Sequence, residues 1–307
     1  MYDVVIIGGG PGGVAAGVYA ARKQLKTLFL TENFNSQSVV SASIENWIGT
    51  ETIAGWEFGQ ALEKHLRAQE GIEIKTDSKV VSVTPRTESG YAIKTEHGET
   101  YAGTTVIIAS GGRHRHLDIP GEEKLNGKGV AYCSTCDAPF FRGKKVAVVG
   151  GGNAGLEAVE DLLPYADAVI LIVRSGEVKG DQVTQNKVFS SPKVSVLYHT
   201  VPEEITGENT VSGIRIKNTG TGEEKTIDLD GVFVEIGMVP NTEFVKDLLD
   251  LNERGEIILD HRTRAASLPG IFAAGDATDA PYKQNNISAG DGVAAALSAY
   301  DYLRKQA

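Results

Sequence analysis

Val4-Val5-Ile6-Ile7-Gly8-Gly9-Gly10-Pro11-Gly12-Gly13 follows Met1-Tyr2-Asp3. Four consecutive apolar residues, rich in β-branching, read as a strand buried in a parallel sheet. The run passes into a turn that satisfies GxGxxG at Gly8, Gly10 and Gly13, with Pro11 inside it. An alanine-rich helix, Val14 to Lys23, is expected next. The first glycine permits the tight turn, the second lets backbone approach a pyrophosphate, and the third lets helix and strand pack closely. A helix N-terminus then offers N–H groups to the phosphates. A second strand, Thr27 to Leu30, leads to Glu32, where an acid would grip a ribose diol. Strand, turn, helix, strand and acid in this order mark a dinucleotide-binding unit.

The unit recurs. Val146–Val149 is a strand, Gly150, Gly152 and Gly155 repeat the fingerprint around Asn153, Leu156 to Leu163 is the helix, and Val169–Val173 the next strand. Gly8 to Glu32 spans 24 residues, and Gly150 to Arg174 also spans 24. The first copy therefore presents a carboxylate at its ribose position and the second a guanidinium. An arginine there accommodates a 2′-phosphate, which favours NADPH over NADH in the second copy. Lys179 is a further candidate for that phosphate, or a lysine on a solvated turn.

Between the copies lie the chain's two cysteines, in Cys133-Ser134-Thr135-Cys136-Asp137. Structural zinc needs four ligands, and one CxxC hook without suitably spaced histidines does not supply them. A dithiol exchanges two electrons, as a hydride does, so a thiol pair beside a nucleotide turn suggests electron transfer from a nicotinamide to a disulfide. A static disulfide or two core thiols is the plainer alternative.

The remaining segments frame these units. Ile72 to Val83 and Tyr91 to Tyr101 read as short antiparallel strands about the turn Glu88-Ser89-Gly90, followed by the apolar strand Val106–Ala109. The second half repeats this plan loosely, with Val194–Leu197, Gly213–Lys217, Lys225–Leu229 and Gly231–Gly237. Gly270–Asp276 is another buried strand ending in Gly-Asp, and Gly292 to Lys305 a closing helix. The expected fold class is α/β, with two Rossmann-like, three-layer nucleotide-binding domains. The second, residues 114–240, is inserted into the first, residues 1–113 and 241–307. With 307 residues, two domains is the natural count. A net charge of −10 argues against nucleic-acid binding. With no signal-peptide pattern after Met1 and no apolar run of membrane-spanning length, a soluble, cytoplasmic chain without membrane association is expected.

Taken together, the two fingerprints, Ile44–Trp47, Ala109–Gly111, Cys133–Asp137, Ile236–Thr242, Ala273–Asp276 and Pro281–Gln284 resemble the low-molecular-weight thioredoxin reductases. The last of these runs, with Ala299–Leu303, is most similar to the reductase core of the flavoprotein subunit of alkyl hydroperoxide reductase. The resemblance implies FAD in the first domain and NADPH, with NADH as the alternative, in the second. It implies that Gln37, Asn46, Gly111, Asp276 and Gln284 lie on the flavin. Cys136 would face the flavin, Cys133 would exchange with a partner, and Asp137 would be the acid/base, unless it is simply a turn residue. It also implies a homodimer, hinges near 113–116 and 239–242, and a thioredoxin or glutaredoxin-like dithiol protein as acceptor. The alternatives are an NADH-dependent enzyme feeding a peroxiredoxin through a small adaptor, a ferredoxin-dependent flavin thioredoxin reductase, and a flavin-binding redox sensor. Phe140 and Phe141 are either a docking ridge or core.

This chain departs from the family pattern at three places. Asn35-Ser36 stands where the family has Gly-Gly before Gln37, in a loop against the flavin. Ala138 replaces a glycine after Cys-x-x-Cys-Asp. Arg174-Ser175 supplies one arginine where NADPH enzymes carry two, and Val173 stands where the NADH branch has glutamate.

Overall fold

The computed structural model describes residues 1–41 and 44–306. They form two compact units. One comprises Met1–Val39, Ser43–Arg113 and Val239–Ala307; the other comprises His114–Met238 with Val40–Ala42.

In the first unit, the strand Tyr2–Ile7 is sandwiched in parallel between Thr27–Leu30 and Thr100–Ile108. Ile72–Lys75 extends the sheet in parallel beyond Thr27–Leu30, and Ile271–Ala273 joins in parallel on Thr100–Ile108. Val80–Pro85 and Tyr91–Thr95 form the antiparallel part. The apolar strands are buried because helices and loops cover both faces, which explains their unbroken hydrophobic runs. Val5, Leu28, Val106 and Ile271 pack on one face; Ile6, Phe29, Ile107 and Phe272 pack on the other against the helices Pro11–Arg22 and Asn285–Gln306.

Three expectations are corrected here. Ile72–Lys75 is not half of a hairpin but a parallel edge strand. The runs ending at Tyr101 and beginning at Val106 are one continuous strand, Thr100–Ile108. The last helix begins at Asn285 rather than Gly292.

The second unit holds a five-stranded parallel sheet, ordered Val194–Leu197, Ala168–Ile172, Lys145–Val149, Gly231–Val234 and Val130–Ala131. The internal repeat is visible in hydrogen bonds: Gly8 N–H donates to Leu30 O at 2.9 Å and Gly150 N–H to Ile172 O at 3.1 Å. A separate antiparallel sheet of Thr200–Thr206, Gly213–Asn218 and Glu224–Asp228 follows. The first of these strands carries no clean alternation in sequence and was not expected. The chain crosses between the units in two short strands, Gly112–His114 and Met238–Pro240, which pair with each other.

One buried ion pair in the first unit has a stability consequence. Arg264, at φ +59°, directs a guanidinium nitrogen to Asp291 at 2.8 Å, and the Asp291 side chain is only 4% exposed. Asp291 also accepts from Gly275 N–H at 3.4 Å, beside Asp276. Arg264→Met leaves that carboxylate buried without its cation, and a loss of about 3 kcal/mol is expected in a urea melt. Arg264→Met with Asp291→Leu should recover most of it, since replacing both charges removes the orphan.

Candidate functional site

Both fingerprint turns have the form that a pyrophosphate requires. Gly8 and Gly150 sit at φ +116° and +140°, where a side chain would be strained. A Cβ on Gly13 would lie 1.8 Å from Gly8 O, and one on Gly155 would lie 1.9 Å from Gly150 O, so only glycine permits this helix–strand approach. A Cβ on Gly10 would meet a single neighbour, Ser36 Cβ, at 3.9 Å, and one on Gly152 would meet nothing within 4 Å. Glycine at these two positions is not needed for packing. It leaves the backbone open on that side. Neither helix has a side-chain N-cap, so its first N–H groups remain available to phosphate oxygens.

Around the first turn, the strand Thr27–Leu30 delivers Glu32 to the surface, 3.9 Å from Lys79 Nζ. Pro11 is buried at the start of the helix. The fold brings several distant predicted residues together. Gln37 Nε2 donates to Asp276 Oδ2 at 3.4 Å, and Asn46 Nδ2 to Gln284 Oε1 at 3.3 Å. Burial raises the Asp276 carboxyl above its usual range, against the pull of Lys283 and the Ser288 hydroxyl. Gly111 takes φ +67° beside open space.

In the second unit, Asn153 Oδ1 accepts from Asp181 N–H at 2.7 Å, and Lys179 N–H donates to Gly151 O at 2.7 Å. The segment after Arg174 is thus folded onto the second fingerprint. Arg174 and the Lys179 side chain are exposed.

Cys133 and Cys136 are joined in a disulfide. Their turn is the short helix Ser134–Asp137, in which Cys136 and Asp137 N–H groups both donate to Cys133 O. Ser134 Oγ and Thr135 Oγ1 donate to Asp161 Oδ2 at 2.8 and 3.1 Å, tying the turn to the helix Asn153–Leu162. Ala138 is buried beneath it. The two phenylalanines part company. Phe141 is core, edge-on to Phe233 at 4.9 Å and filling the space above Gly231, while Phe140 is exposed.

Asp137 is half-buried, and burial pushes its carboxyl up to about 6. A second acid, absent from the sequence-level candidates, lies in the same place. Glu235 follows the strand Gly231–Val234, and Ser134 N–H donates to its carboxylate. Burial raises Glu235 to about 8; the Ser134 bond opposes this, and Asp161, Glu157 and Asp137 add to it. A further cluster sits just before the disulfide: Tyr132 OH donates to Glu122 Oε1 at 2.8 Å and lies 3.0 Å from His116 Nδ1. His114, with its ring centroid 5.3 Å from that of Tyr132, is held down at about 4 by burial and then by His116. His114 and His116 thus both lie against Tyr132. Arg113 also pairs with Glu243 at 2.7 Å within the first unit.

Chemically, the chain offers two glycine turns open on one side and a disulfide beside two carboxyl groups that burial lifts to about 6 and about 8. The chain is similar to several known proteins. The "NADH dehydrogenase" of Bacillus subtilis (strain 168) is 42% identical over 304 residues, covering 98% of this chain and 58% of that protein. An alkyl hydroperoxide reductase subunit of Staphylococcus aureus (strain MRSA252) is 44% identical over 302 residues, covering 98% and 59%. The chain thus spans less than two thirds of these curated relatives. Among solved structures, thioredoxin reductase from Streptococcus pyogenes MGAS5005 superimposes with a TM-score of 0.92 at 34% identity, over 99% of each chain. The one from Giardia duodenalis gives 0.91 at 32%, also over 99% of each. These likenesses agree with the low-molecular-weight thioredoxin reductase resemblance and with two Rossmann-like domains. A family profile runs from residue 2 to 295 and leaves almost none of the sequence outside it, so the chain belongs to the pyridine nucleotide-disulphide oxidoreductases.

Proposed function

We propose that this chain is an FAD-dependent disulfide reductase that takes electrons from NADPH and passes them, through Cys133 and Cys136, to a thioredoxin-like dithiol protein. The observation that carries the reading is the disulfide in the same compact unit as an open second fingerprint. Family membership implies a flavin and a nicotinamide cofactor, and both cradles fit dinucleotides. FAD is assigned to Gly8, Gly10, Pro11 and Gly13, with Glu32 at its ribose and Gln37, Asn46, Gly111, Asp276 and Gln284 around the rest. The nicotinamide nucleotide is assigned to Gly150, Gly152, Asn153 and Gly155, with Arg174 and Lys179 toward a 2′-phosphate. Residues 1–113 with 241–307 would then be the flavin domain and 114–240 the nicotinamide domain. The bound flavin supplies two-electron chemistry between hydride and disulfide. Asp137 then holds the proton for the leaving thiolate, and the bonds from Ser134 and Thr135 to Asp161 fix the dithiol turn. By family analogy the active form is a homodimer.

A second reading uses NADH and serves a peroxiredoxin. Its support is the names of the relatives at 42% and 44% identity and the single arginine at the ribose position. An anaerobic titration of the oxidised protein separates the two. NADPH is expected to bleach the flavin at about tenfold lower concentration than NADH, the scale of one charge-assisted contact to a phosphate. Arg174→Ala should erase that preference. A preference for NADH that Arg174→Ala leaves unchanged selects the second reading, and bleaching by neither selects a ferredoxin-like donor.

A further inference from the structure

The loop that departs from the family pattern has a definite geometry. Asn35 N–H donates to Asn33 Oδ1 at 2.8 Å, Ser36 N–H to Phe34 O at 3.0 Å, and Val39 N–H to Ser36 O at 3.0 Å. Phe34 is buried and stacked on Phe29, with ring centroids 5.9 Å apart. Ser36 is thereby held at both its N–H and its carbonyl. Its Cβ is the single atom near the open face of Gly10, 3.9 Å from where a Gly10 Cβ would stand. Its Oγ is buried and has no hydrogen-bond partner within the described chain. A buried hydroxyl without a partner is unfavourable, and each instance calls for an explanation.

The neighbourhood supplies one. Gly10 begins the helix Pro11–Arg22, whose first N–H groups have no side-chain cap. A phosphate oxygen against this face would accept from the helix N-terminus and from Ser36 together. We propose that Ser36 Oγ donates a hydrogen bond to the pyrophosphate of the FAD held at Gly8–Gly13. In this chain a side-chain donor replaces a glycine, so the substitution strengthens flavin binding. The inference rests on the flavin reading above.

Two substitutions test it, measured on the full chain as purified, by release of flavin on dilution with recovered flavin fluorescence as the signal. Ser36→Ala is expected to raise the FAD dissociation constant about tenfold or more, as loss of a hydrogen bond to a charged acceptor does. Ser36→Gly, which restores the family residue, should weaken binding similarly. ADP competition locates the contact: the inhibition constant for ADP should rise with that for FAD, and that for adenosine should not. Equal or tighter FAD binding by both variants overturns the proposal while leaving the flavin reading intact. So does a loss that adenosine shares with ADP. Wild-type protein that retains no flavin under any condition overturns the flavin reading itself.

Discussion

Cys136→Ser is expected to abolish reduction of any dithiol acceptor while the flavin still bleaches with the nicotinamide donor. The two cysteines are the only ones in the chain, so neither has a substitute. With one thiol left, electrons can reach the flavin but cannot be stored as a dithiol or handed on as a pair. Turnover should fall at least about a thousandfold, the scale on which removal of a covalent nucleophile acts. The two single variants should also differ. In Cys136→Ser the remaining Cys133 attacks the acceptor, and no neighbouring thiol resolves the adduct. A mixed disulfide should therefore accumulate and be visible on a non-reducing gel. Cys133→Ser should form little of it, because Cys136 is assigned to the flavin side. Sustained turnover with either variant would remove the dithiol relay from the mechanism. Trapping by Cys133→Ser instead of Cys136→Ser would reverse the two roles and keep the relay.

The nucleotide units were legible because their strands, Tyr2–Ile7 and Lys145–Val149, are apolar throughout their buried length and run into glycines whose spacing has few other uses. The hairpin misreading at Ile72 has a physical source. Alternation marks a half-buried strand but not its partner, and Ile72–Lys75 pairs in parallel with Thr27–Leu30. Thr100–Ile108 looked like two strands because its partners change midway, from Tyr91–Thr95 to Ile271–Ala273. The helix start at Asn285 was hidden by a polar, glycine-containing opening stretch. That stretch is held by tertiary bonds: Asn285 Nδ2 donates to Ser38 Oγ, and Asn286 Nδ2 to Asn46 O. Glu235 was the most consequential omission, and the repeat contained the signal. Ala109 N–H donates to Ile7 O at 2.8 Å, and Glu235 N–H donates to Val149 O at 2.9 Å, so the two residues hold the same place in the two copies. The first copy has a methyl group there and the second has a carboxylate. Aligning the repeats past their fingerprints would have exposed an acid where an apolar residue suffices for the fold.

That acid matters for the second large effect, Asp137→Asn. Opening the Cys133–Cys136 disulfide leaves a thiolate that needs a proton, and the carboxyl that supplies it must be in its acid form. Burial places Asp137 at about 6, so the acid form dominates below that pH and is lost as pH rises through it. The single-turnover rate of disulfide opening should therefore decline above about 6. Asp137→Asn should lower that rate at pH 6 by about a hundredfold or more and flatten the decline, as removal of a general acid does. Glu235, at about 8, supplies a second inflection. When it ionises, a negative charge appears beside Asp137 and the dithiol turn, which disfavours thiolate formation. Glu235→Gln keeps an acceptor for Ser134 N–H and cannot ionise, so it should remove only the upper inflection. The two acids are coupled, because the Asp137 charge contributes to raising Glu235. Asp137→Asn should therefore also move the upper inflection to lower pH. An unchanged profile near 6 in Asp137→Asn would assign the proton to another group. Were the upper inflection to stay in place in the same variant, the two carboxyl groups would be titrating independently.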